Sequence, residues 1–216
     1  MIFVLQSNPV FAVALFLGFI IGVWFHEAAH AFSAHYLGDD TPQRNGRITL
    51  NPFVHLDLLG TIMFLAAGFG WGWTPVTPAN LRGGVWGPVA VAAAGPAANL
   101  VVLFICAGLA AVPTLNLGLD PSAPVSTGAV MVYGVAATNA LLFVLNLIPI
   151  PPLDGARILY PFLPRSLDDF VNFMNEYGPY IFLGLVVLTF LPGVPSVFGF
   201  LQYIYTPLLN ALGFSI

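Results

Sequence analysis

Four blocks of this chain carry no Asp, Glu, Lys or Arg: residues 1–26, 83–119, 121–153 and 177–216. A soluble surface helix needs a charged or polar face, and none of these blocks can supply a charged one. Each is long enough for at least one crossing of a bilayer, which takes about 20 residues. Composition agrees, because only 6% of the 216 residues are charged, against about 25% in soluble domains. Mean hydropathy is +0.91. The chain therefore reads as a membrane protein. Its net charge of −4 and the lack of any basic run give no case for nucleic acid as a partner. The single cysteine, Cys106, cannot form an internal disulfide. No basic region of a cleaved leader precedes the first apolar block, so that helix is expected to be retained.

The expected fold is an all-α polytopic membrane protein, a single domain over 1–216. Its three-helix core spans about 9–37, 86–112 and 127–148. One or two C-terminal helices follow, at about 178–191 and 197–213. Residues 58–72 are apolar but too few to span, and four glycines interrupt them. They predict a short re-entrant or β-like insert after the first helix, buried against protein. Arg47–Leu50 leaves room for a short strand. With 58–72 not crossing, all five arginines (Arg44, Arg47, Arg82, Arg157, Arg165) fall on one side, and the opposite loop has none. The positive-inside rule makes that side the cytoplasm and puts the N-terminus outside.

Within the first apolar helix lies Trp24-Phe25-His26-Glu27-Ala28-Ala29-His30, an HExxH sequence. Residues four apart share a helix face, so His26 and His30 can hold one Zn²⁺ while Glu27 orients and deprotonates a water. The bland alternative is a pair of histidines satisfied by their neighbours. Glu27 weighs against it, since an ionisable group deep in an apolar segment is costly and usually functional. Catalytic zinc usually takes a third protein ligand. His35, Asp39, Asp40, His55, Asp57, Asp154 and Glu176 are candidates. Asp154 fits best, because Asn146-Leu147-Ile148-Pro149-Ile150-Pro151-Pro152-Leu153 breaks a membrane helix just where this carboxylate appears. Its competing reading is a cap on the helix that follows. The small residues of Val89–Ala98 read as close helix packing, and Trp71, Trp73 and Trp86 as interfacial anchors.

Three stretches, HEAAHAFSAHYLGDDTPQRNGRITLNP, AGPAANL and NLIPIPPLDGARIL, together resemble the site-2 protease family of intramembrane zinc metalloproteases. The likeness runs from about residue 20 to 160 and is greatest to the compact prokaryotic branch without PDZ or CBS domains. It implies one Zn²⁺ per chain on His26, His30 and Asp154, with Glu27 as the catalytic acid and base. It further implies that Asn99 and Asn146 help to hold substrate or oxyanion, with Asn139 a further candidate. The implied partners are the lipid bilayer and transmembrane protein substrates, and the arginine distribution puts the active site of a multi-pass cell-membrane protein towards the cytoplasmic side. Two other functions compete: a metal or proton transporter using the His/Glu/Asp cluster, and an idle binding protein of the same fold. Oligomeric state is not legible.

Overall fold

The structure, a computed structural model, describes residues 2–112, 126–191 and 197–214. The chain enters through a short helix, α1 (Ile2–Ser7), and turns at Asn8 into α2 (Pro9–Tyr36). Pro9 sits where a missing N–H costs nothing, and the Asn8 side chain accepts the Phe11 N–H at 3.0 Å. At 28 residues, α2 is long enough to cross a bilayer. So are α6 (Trp86–Ala110) and α7 (Thr127–Asn146). These three helices pack on one another and form the polytopic membrane core.

Small residues bring the three together. A Cβ on Gly134 of α7 would lie 2.4 Å from the Ala14 Cβ, and one on Gly18 would lie 2.9 Å from Thr138. Contacts climb together along the two helices, Ala14 with Gly134 and Gly18 with Thr138, so α2 and α7 run parallel. Helix α6 runs against both, since His26 meets Asn99 while His30 meets Val91. The ends of α2 and α7 and the start of α6 are thus at one end of the core. Residues 37–85 and the segment 147–167 leave the core there.

The segment between α2 and α6 folds back onto α2. Two single-turn helices, α3 (Thr41–Arg44) and α4 (Pro52–His55), lead to α5 (Leu58–Ala67). Ten residues rise about 15 Å, half of a bilayer core. Asp57 caps α5 by accepting from Gly60 N at 2.7 Å, and Gly68, at φ 79°, closes it in the left-handed region that glycine tolerates. Phe64 stacks on Phe19 at 4.1 Å, so α5 dips along α2. The chain then returns, and Gly72 pairs with Leu56 in an antiparallel bridge. That is a re-entrant helical excursion that goes in and comes out on the same side.

Two expectations are corrected. Arg47–Leu50 forms no strand, and among the described residues there is none at all; the Leu56–Gly72 bridge stands alone. Side chains occupy the backbone acceptors there instead. Arg47 donates to Val54 O and to Trp73 O and lies over the Trp73 ring at 5.2 Å, while His55 Nε2 bonds Thr49 O at 2.8 Å. The fourth large helix, α9, begins at Asp168 and runs to Leu188, not 178–191. Its first half carries Asp168, Asp169 and Glu176 and so is not an apolar run. Asp168 and Asp169 in its first turn suit the positive end of the helix dipole. A last helix, α10 (Val197–Ala211), packs against α7.

Asp39 fastens the returning loop to the end of α2. Its carboxylate is fully buried and accepts from Thr41 N (3.0 Å), the Thr41 hydroxyl (2.5 Å), Thr77 N (2.7 Å) and Asn80 Nδ2 (3.0 Å). Burial pushes this carboxyl up, but hydrogen bonds from Thr41, Thr77 and Asn80 outweigh it and leave it below its ordinary value. Arg82 completes the fastening by donating to Tyr36 O at 2.9 Å and Leu37 O at 3.3 Å. Asp39→Ala should cost on the order of 2–3 kcal/mol, the scale of lost hydrogen bonds to a buried charge. Thermal unfolding in detergent would measure it. A carboxyl lowered by folding stabilises above its unfolded pKa of about 3.9 and loses that contribution as pH falls through the folded value. The gap between wild type and Asp39→Ala should therefore be constant near neutral pH and shrink in acid.

Candidate metal centre

His26 and His30 project from the inner face of α2, at the end of the core where α6 starts and α7 stops. After Asn146 the chain cannot continue as a helix through Pro149, Pro151 and Pro152, which have no N–H to donate. It curls over the end of α7 so tightly that a Cβ on Gly155 would sit 2.3 Å from Leu147 O. The next helix, α8 (Asp154–Leu159), packs on α6 and starts with the carboxylate itself. The N-cap position of α8 is Leu153, so Asp154 is not the cap of this helix. Its Oδ2 lies 3.1 Å from His26 Nε2 and 3.3 Å from His30 Nε2, and the two Nε2 atoms are 3.0 Å apart. All three residues are buried.

The donor and acceptor roles decide what this cluster fits. Val91 O can only accept, so the proton of His30 is on Nδ1, 2.7 Å away. Asn99 Oδ1 stands 2.8 Å from His26 Nδ1 and imposes the same tautomer there. Both Nε2 atoms then present lone pairs, and they face a buried carboxylate oxygen that receives no hydrogen bond. A proton between any two would leave the third unsatisfied. A cation satisfies all three. Tetrahedral zinc with bonds of about 2.0–2.1 Å sets its ligands about 3.3 Å apart, close to the separations found. Among the described residues this is the one His/Cys/Asp/Glu group able to hold a metal ion.

The other candidates for third ligand lie elsewhere. His35 pairs with Asp40 at 3.2 Å, Asp39 and Asp57 serve the loops, His55 bonds Thr49 O, and Glu176 is exposed on α9. Glu27 is buried beside His26. Gly72 leans on it so closely that a Cβ there would be 2.6 Å from Glu27 Cγ, and the Thr74 hydroxyl donates to Glu27 O at 3.1 Å. Asn99 and Asn139 are both wholly buried and bonded to each other at 3.1 Å. Asn146, at the end of α7, is partly exposed and donates to Leu142 O at 3.0 Å.

Two glycines belong to this centre, one of them inside the Val89–Ala98 stretch read as close helix packing. Gly95 of α6 backs directly on the imidazoles, and a Cβ there would stand 2.4 Å from His30 Nε2 and 2.6 Å from His26 Nε2. Gly72 does the same for Glu27. The signal available for Gly95 was its place inside AGPAANL, one of the stretches that carry the family likeness.

Comparison with known proteins finds relatives named as zinc metalloproteases. The chain is 36% identical over 200 residues to a Bacillus subtilis protein named "Putative zinc metalloprotease YwhC", covering 91% of this chain and 86% of that protein. It is 31% identical over 214 residues to "Putative zinc metalloprotease Rip2" of Mycolicibacterium smegmatis, covering 91% and 75%. The chain belongs to the site-2 protease family. No family model and no solved structure matches it. For this family member the backing of the histidines by bare α6 backbone makes a sharp prediction. Gly95→Ala should press a methyl group against the Nε2 atoms of both imidazoles and abolish metal retention. Metal analysis of the purified variant beside wild type would read it directly.

Proposed function

We propose that this protein is a zinc metallopeptidase that hydrolyses peptide bonds in or near the transmembrane segments of membrane-protein substrates. The observation that carries the reading is the convergence of His26 Nε2, His30 Nε2 and Asp154 Oδ2, with Glu27 adjoining His26, at one end of an apolar three-helix core. The names of the relatives support it. His26, His30 and Asp154 would hold one Zn²⁺. When bound, zinc supplies Lewis acidity that polarises a carbonyl and makes a water nucleophilic near neutral pH.

Glu27 takes the proton from the attacking water and delivers it to the departing amine. Its backbone is held by Thr74 and its stem by the close approach of Gly72, so its position is fixed before substrate arrives. Asn146 is the asparagine we assign to substrate or oxyanion. One amide N–H goes to Leu142 O, and the amide has a second to give. Asn99 and Asn139 have no exposed surface from which to touch a substrate. A helical peptide carbonyl is already hydrogen-bonded, so the substrate must unwind before attack. Residues 69–74 run without helix past Glu27, and we assign them to holding the cut strand extended by β-augmentation.

The arginines fall in 37–85 and 147–167, the segments at the metal end of the core, which favours a cytoplasmic position for that end of a cell-membrane protein, with the N-terminus outside. A transporter would need a polar path onward through the core, and the interlocked Asn99 and Asn139 behind the histidines count against one. Purified protein should cleave single-span reporter helices, and a zinc chelator should stop it. Glu27→Gln should lower the rate by at least about 10²-fold, the scale of lost acid–base catalysis, while keeping its zinc. Equal cleavage by both proteins would sink the assignment of Glu27.

A further inference from the structure

The two histidines are oriented by different means. His30 Nδ1 donates to a backbone carbonyl, Val91 O, which no side-chain substitution removes. His26 Nδ1 donates to a side chain, Asn99 Oδ1, and that side chain is itself held by another on the third helix. We infer that Asn99 and Asn139 are positioning residues through which α7 dictates the tautomer of His26 and so keeps its Nε2 available to the metal. This rests on the zinc reading above and gives the two asparagines a role other than binding substrate.

The direction of the chain of hydrogen bonds follows from groups that cannot change roles. Val135 O and Gly18 O can only accept, and Asn139 Nδ2 lies 2.9 and 3.4 Å from them. The carbonyl of Asn139 must then face the other way, where it accepts from Asn99 Nδ2 at 3.1 Å. The second proton of Asn99 Nδ2 goes to Gly22 O at 3.0 Å. Both donors are thereby used, and the Asn99 carbonyl is left towards His26. Turning either amide over would set oxygen against oxygen with no water to relieve it, because both residues have no exposed surface. Gly22 makes the junction possible, since a Cβ there would meet Asn139 Oδ1 at 2.9 Å and Leu142 Cδ1 at 2.6 Å. The helix whose end leads into Asp154 thus also reaches His26, through two amides.

The test uses the full-length protein in detergent, stripped of metal and labelled with ¹⁵N-histidine; four histidines keep the spectrum readable. In wild type, His26 should be the Nδ1–H tautomer. Asn99→Leu removes the acceptor and should move His26 towards Nε2–H, leave His30 unchanged, and weaken zinc binding about 10–100-fold by chelator competition, the usual loss for an outer partner of a metal-bound histidine. Asn99→Asp keeps an acceptor oxygen for His26 but gives up both donors. Its other oxygen then faces Gly22 O and Asn139 Oδ1, so this variant should unfold at a lower temperature than wild type. It should nevertheless keep the proton on His26 Nδ1 and hold zinc more tightly than Asn99→Leu, which a role in merely holding helices together would not do. Asn139→Leu should shift both readouts in the same direction as Asn99→Leu, by less. The inference is overturned if wild-type His26 is Nε2–H, if Asn99→Leu leaves tautomer and affinity unchanged, or if Asn99→Asp loses zinc as badly as Asn99→Leu. An unchanged Asn139→Leu would remove α7 from it. Should wild type fail to retain zinc, the metal reading falls, while the tautomer of His26 still judges this one.

Discussion

Two imidazole nitrogens and a carboxylate oxygen, all presenting lone pairs to one another at 3.0–3.3 Å inside an apolar bundle, repel unless a cation stands among them. A chain that keeps such a cluster must hold it together from several directions. Each direction here is a separate device. The i, i+4 spacing on α2 supplies two of the three groups without tertiary help. The proline-broken turn after α7 supplies the third. Val91 O and Asn99 Oδ1 fix the outward faces of the rings, so that neither can rotate its lone pair away.

The small residues then acquire a common purpose. Gly18, Gly22 and Gly134 let α7 approach α2 closely enough for Asn139 to reach a neighbouring backbone. Gly95 lets α6 lie against the imidazole rings, and Gly72 lets the returning loop lie against Glu27. In a bilayer, where lipid tails offer helices no hydrophobic reason to associate, such close contacts and the hydrogen bonds they admit are what binds helices together. The same contacts that assemble the core therefore shape its polar centre. The Asp39 and Arg82 fastenings do the corresponding job outside the spanning segments, where water competes and a buried carboxylate with four donors is the stronger device.

Legibility in the sequence followed the range of the interaction. His26, Glu27 and His30 were readable because a helix brings them together within two turns. Asp154 was readable because prolines cannot continue a membrane helix, which marks a break with a purpose. The three spanning helices were readable from the absence of charge. What escaped was fixed by contacts between distant segments. Nothing local says that Gly95 backs on an imidazole rather than on a leucine. Nothing local turns Asn99 towards His26 rather than towards a substrate. Arg47–Leu50 has a composition compatible with a strand, but its would-be partners are taken by Arg47 and His55 side chains. The start of α9 at Asp168 was missed because an amphipathic helix with acidic residues in its first turn does not look like an apolar run.

The order of the three clustered residues along the chain has a consequence in time. His26 and His30 leave the ribosome more than a hundred residues before Asp154, and Asn99 and Asn139 emerge between them. Until the turn after α7 is made, the first helix holds two histidines with no carboxylate to complete the set. The centre is thus assembled last, by the final threading of the three-helix core. A nascent or truncated chain that halts before that turn has no Asp154 to set against His26 and His30.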